Sequence, residues 1–195
     1  MFIGHLPAGY IASDIICKIG EEKIVSRKAC MMWGMLGSVA PDLDMICFYL
    51  WDDRRYHHHT YATHFPVVWI VLIIMALFWL KCGNKLKYAQ AAALFTINGM
   101  FHLCLDSIVG DIYWLAPFGV KAYALFTVPA LYKPWWLNFM MHWSFGVEIV
   151  IALWGYCLWK GNSGAIVKPE IVTTNGGYAE TIPRNGRQEG RPEVQ

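Results

Sequence analysis

The sequence predicts an all-α fold: a polytopic membrane helix bundle with about five membrane-embedded segments and a disordered polar C-terminal tail. Three observations lead there. Of 195 residues, 56% are hydrophobic and only 15% charged, whereas soluble globular chains average about a quarter charged. The apolar residues gather into five runs of the length that matches a hydrocarbon core of about 30 Å. From Lys160 the chain becomes rich in Gly, Pro, Asn, Glu and Arg, a composition with too little apolar surface to build a core. The expected division is a membrane-embedded helical domain over 1–160, carrying a metal site, and a tail over 161–195.

The first run, 2–19, is interrupted by His5, Pro7 and Asp14. The second, about 32–51, carries Pro41, Asp42 and Asp44. Proline cannot donate the helical hydrogen bond, so this run should kink or break at its aspartates. The third, 66–82, is cleanly apolar. The fourth, about 88–110, holds His102 and Asp106, and the fifth, about 137–159, holds His142 and Glu148. Ionisable groups inside apolar spans are costly and usually face a protein interior or a wet cavity.

Orientation was read from Lys and Arg. With five crossings and the N-terminus outside, twelve basic residues fall inside and four outside, a positive-inside bias. No basic region or cleavage site precedes the first run, so it is expected to be retained. On that topology His5, Asp42, Asp44, the "HHHTYATH" loop, His102 and His142 gather toward one leaflet, the bacterial inner membrane's outer face, with the tail cytoplasmic. Glu148 lies near mid-depth.

Other classes fall away. A net charge of +2 and the lack of a phosphate loop or nucleic-acid motif argue against nucleic-acid partners. The six cysteines form no CxxC pair, so neither a disulfide framework nor an all-cysteine zinc site is expected.

The remaining chemistry is imidazole and carboxylate. His102 and Asp106 are spaced i, i+4, one face of a helix. Asp42 and Asp44 flank a helix break, and could equally cap a helix N-terminus. His59 and His64 converge if the chain turns between them, with His57 and His58 as bystanders or supports. His and carboxylate sets suit zinc, manganese or iron, and one or two such ions can activate water against an ester or phosphoester. Zinc is the first expectation and manganese the second. Glu148 and Asp42 are the candidate bases.

The motifs "GHLPAGY", "LGSVAPDLDMI", "HTYATHF" and "FHLCLDSIVGDIYWLAPFG", in that order over roughly residues 1–120, resemble the LexA-regulated, membrane-bound, predicted metal-dependent hydrolases. That family is more distantly similar to zinc-dependent phospholipase C. The resemblance carries over onto His5, Asp42, Asp44, His59, Thr63, His64, His102 and Asp106, with Pro117 and Phe118 closing the last motif. It implies metal ligation by His5, His59, His64, His102 and the aspartates. It departs at Thr60 and Tyr61, where Arg-Gly is common, and at Asp111, where an uncharged residue is usual. His142 and Glu148 lie outside it. The reading that follows is a membrane-bound metal-dependent hydrolase acting on an ester or phosphoester, with a lipid as one substrate class. Its rivals are a transporter, a haem protein using His102 and His142, and a structural metal site.

Overall fold

The computed structural model describes residues 3–19, 25–51, 58–165, 172–173 and 179–180. His57 and most of the tail that was expected to be disordered lie outside the described residues. The chain divides into two compact units, Met1–Tyr156 and Cys157–Gln195.

Among the described residues seven α-helices are formed: α1 (His5–Ile19), α2 (Arg27–Val39), α3 (Asp44–Leu50), α4 (Pro66–Cys82), α5 (Leu86–Asp106), α6 (Trp136–Met141) and α7 (Trp143–Ala165). In the second unit two-residue strands at Val172–Thr173 and Ala179–Glu180 pair antiparallel. Local chemistry sets the boundaries. Ser26 caps α2, its Oγ accepting from Ala29 N at 3.3 Å. Pro41 ends α2, and a single 3-10 turn over Pro41–Leu43 hands the chain to α3. The break expected at the aspartates is therefore present. Pro66 opens α4, where its missing N–H costs nothing.

Helix α5 is the centre of the first unit, packed against α1, α2 and α4, while α1 also packs on α2. Buried Ala89, Ala91, Ala93 and Gly99 leave α5 thin enough for close neighbours. A Cβ on Gly37 of α2 would sit 2.1 Å from the Phe95 carbonyl oxygen, and one on Gly99 would sit 2.0 Å from the Trp69 ring. These glycines set the α2–α5 and α4–α5 spacings. Two apolar clusters result, Cys30–Met31–Leu94 and Ala40–Trp69–Leu103. Contrary to the cysteine reading, Cys17 and Cys30 are joined as a disulfide between α1 and α2.

The polytopic expectation is corrected here. No helix among the described residues is long and apolar enough to cross a membrane. Helix α4 is apolar throughout but has 17 residues, about 25 Å at 1.5 Å per residue, short of a core of about 30 Å. Helices α5 and α7 are longer but interrupted: α5 by Lys87, Gln90, Asn98, His102 and Asp106, α7 by Ser144, Glu148, Lys160 and Asn162. Composition registered the apolar excess, but the polar residues divide it. Without spans, the two-sided count of basic residues no longer fixes an orientation.

Asp14 shows how one such polar residue is accommodated. It is 2% exposed, paired with Lys18 at 2.6 Å and with Arg27 of α2. Burial alone would raise its carboxyl, but the two cations hold it below the ordinary value. A depressed folded value contributes stability above the unfolded value, about 3.9, and loses it as pH falls through the folded one. Asp14→Asn is therefore expected to lower the thermal midpoint at pH 7 and to lower it less at pH 3. Equal losses at both pH values in a thermal melt would contradict this.

Candidate metal centre

Six elements bring the histidines and aspartates together at the C-terminal end of α5. His102 and Asp106 lie one turn apart on that helix, His102 Nε2 being 3.0 Å from Asp106 Oδ2. His102 Nδ1 is 2.7 Å from the Ser38 carbonyl. A carbonyl only accepts, so Nδ1 carries a proton, and in the neutral ring Nε2 keeps its lone pair. Ser38 lies three residues before Pro41, which has no N–H to offer that turn.

His64 is held the same way. Its Nδ1 donates to Asp44 Oδ2 at 2.5 Å, and Thr63 Oγ1 donates to the same oxygen at 2.7 Å. The Thr63 carbonyl in turn accepts from the core indole of Trp69 at 2.7 Å. The 3-10 turn over Ala62–His64 is thus tied to both α3 and α4. His64 Nε2 points to Asp42 Oδ1 and Asp106 Oδ2, each 3.8 Å away.

His59, in the turn His58–Thr60, donates from Nδ1 to the Asp111 carbonyl at 3.1 Å. Its Nε2 is 3.6 Å from Asp106 Oδ2. A Cβ on Gly110 would fall 2.8 Å from His59 Cε1, so the glycine after the His-x-x-x-Asp motif lets this ring approach. His5, at the start of α1, stacks on His102 with centroids 3.7 Å apart and reaches Asp106 Oδ1 from Nε2 at 3.0 Å. His58 packs its ring 4.0 Å from that of His59.

Asp106 sits at the middle. Oδ1 faces His5, and Oδ2 faces His59, His64 and His102. Burial would raise its carboxyl, but the amino-terminal positive charge, together with His102 and His5, holds it well below the ordinary range. Burial lowers the His5 imidazole despite Asp106. Burial also pulls on His102, where Asp106 and Asp42 outweigh it and leave its value raised.

The Nε2 side of these rings is where buried polar atoms go unmatched. His64 Nε2 and His102 Nε2 are buried without a hydrogen-bond partner, as are His5 Nδ1 and Asp44 Oδ1. The geometry lets one oxygen each of Asp42 and Asp106 and one nitrogen each of His64 and His102 lie within 4.8 Å of one another. A second combination, His58, His59 and His64, meets the same distance. Beside the first group opens a cavity of about 480 Å³, floored by Asp42, His59 and Asp106 and walled by Met45, Phe126 and Trp135. A cavity of this size suits a small organic ligand.

Not every expected site residue is here. Glu148 is buried, but its Oε2 accepts from Ile3 N at 2.7 Å and Gly4 N at 3.1 Å. It fastens the segment entering α1, and so places His5. It does not line the cavity. Asp44 lies behind His64 rather than in the four-residue group. His142 is half-buried and bonded to Ser144 Oγ at 2.9 Å. Pro117 and Phe118 are exposed. The Ser38 and Asp111 carbonyls were not anticipated, because a main-chain acceptor leaves no mark in residue type. Gly110 had a visible signal in its place after the motif.

A family model described as YdjM inner membrane protein matches residues 1–167. The chain belongs to the YdjM inner membrane protein family. It matches no curated protein and no solved structure. Membership makes this YdjM-family chain an inner membrane protein, which agrees with its apolar composition. All the clustered histidines and aspartates lie inside the matched region.

Proposed function

We propose that the cluster holds a divalent metal ion, zinc or manganese, and that the protein is a metal-dependent hydrolase of an ester or phosphoester. The carrying observation is the pair of buried Nε2 atoms of His64 and His102, which make no hydrogen bond yet face the carboxylate oxygens of Asp42 and Asp106. Each ring is fixed through Nδ1 by an oxygen, the arrangement by which metal-binding histidines are usually oriented. Asp42, His64, His102 and Asp106 are the ligands, His59 stands ready as a fifth, and Asp44 orients His64. No thiolate is in the set, which suits a hard or borderline ion. Such an ion supplies Lewis acidity toward a carbonyl or phosphoryl oxygen and makes water a better nucleophile. His5 steadies Asp106 from behind. Asp42, with a side chain 39% exposed and lining the cavity, is the group placed to take a proton. Glu148, with both of its contacts on main-chain N–H groups, acts as an anchor in this scheme.

The test is elemental analysis of detergent-purified protein, followed by a screen of phospholipids and phosphodiesters with zinc or manganese added. One to two equivalents of metal and turnover abolished by chelation are expected. Protein that never takes up metal would end the proposal. Metal without turnover on any ester would leave a structural metal site in its place.

A further inference from the structure

Away from the histidines, α4 and α5 part to leave a groove of about 520 Å³ walled by Leu72, Met75, Phe78, Trp79 and Ala92. Its chemistry is almost wholly apolar. The one hydroxyl in it, on Thr96, is spent on its own helix, donating to the Ala92 and Ala93 carbonyls at 2.9 and 3.2 Å. The donors that remain, the Trp79 indole N–H and the weak Cys82 thiol, lie among the residues toward its end. The surface beside it is equally apolar: Ile74, Met75 and Phe78 are 60%, 62% and 67% exposed. A helix that is apolar all round belongs in a core or against lipid, and α4 turns about half of itself outward.

The end of the groove differs. Cys82 and Gly83 close it, and the turn into α5 carries Lys81, Lys85 and Lys87, all exposed. Trp79 and Tyr88, 40% and 61% exposed, flank these lysines. Trp, Tyr and Lys together are the composition of a membrane–water interface, and clustered lysines there favour anionic lipid.

We propose that the α4–α5 groove binds one acyl chain of an anionic phospholipid, with its phosphate held by Lys81, Lys85 and Lys87. Membership in an inner membrane family supplies the lipid, and the lysines supply the selection. The site is separate from the metal cluster and stands whether or not the protein is a hydrolase.

The full-length protein, purified in detergent, would be incubated with vesicles of phosphatidylglycerol or of phosphatidylcholine. Retained lipid would be counted by native mass spectrometry. Wild type is expected to retain phosphatidylglycerol at least about tenfold better, the order that several lysines near an anionic surface supply. Replacing Lys81, Lys85 and Lys87 with Glu should abolish the preference. Ala92→Phe, which fills the groove, should abolish retention of both lipids. Should that variant fail to fold by circular dichroism, Met75→Trp fills the same groove from an exposed position. Equal retention of the two lipids by wild type would overturn the proposal, as would a folded, filled variant that keeps its lipid. A filled variant that instead loses self-association would assign the groove to a second copy of the chain, and the lipid site would be wrong.

Discussion

Asp106→Ala is expected to give a folded protein that carries less than about a tenth of the wild-type metal and has lost more than about 100-fold in turnover. Removing a group one bond removed from a metal typically costs about 10–100-fold, and in the proposed site Asp106 is nearer than that. Its Oδ2 is shared by His59, His64 and His102, and its Oδ1 holds His5. Deleting it removes the carboxylate that faces the three Nε2 atoms and frees His5 as well. Circular dichroism and a thermal melt check the fold, and elemental analysis reads the metal. Asp106→Asn provides the control: it keeps the shape and the hydrogen bond to His5 but not the charge, and should also lose metal. Wild-type metal in both variants would remove Asp106 from the site.

Asp44→Asn should behave differently. Asp44 touches His64 and Thr63 through Oδ2 and lies outside the four-residue group. Its loss is expected to weaken metal affinity by about 10–100-fold, with the stoichiometry restored at high metal. A chelator competition measures this. The amide accepts from His64 Nδ1 less strongly than the carboxylate does, because charged acceptors make the stronger hydrogen bonds. Thr63→Val should produce a smaller loss in the same direction. If Asp44→Asn cannot be refilled at any metal concentration, Asp44 is itself a ligand, and its unpartnered buried Oδ1 becomes the atom to assign.

The sequence by itself determined the helical content, the break at Pro41, and the residue types of the centre. Those features are local. A proline ends a helix wherever it stands, and His102 and Asp106 share a face because a helix repeats every 3.6 residues. Four ordered motifs also marked His5, Asp42, His59 and His64 before any contact between them was visible. Membrane association too was legible, as an apolar excess that composition alone reveals.

Tertiary structure decided the rest. Which imidazole nitrogen is free depends on what the other one meets, and for His102, His59 and His64 the partners are 64, 52 and 20 residues away. Glu148 read as a base from its residue type and depth, but main-chain N–H groups from the other end of the first unit meet it first. The five expected spans failed because hydropathy averages over a run. Helix length is fixed only when the chain packs, and α5 places Asn98, His102 and Asp106 against α1, α2 and the site.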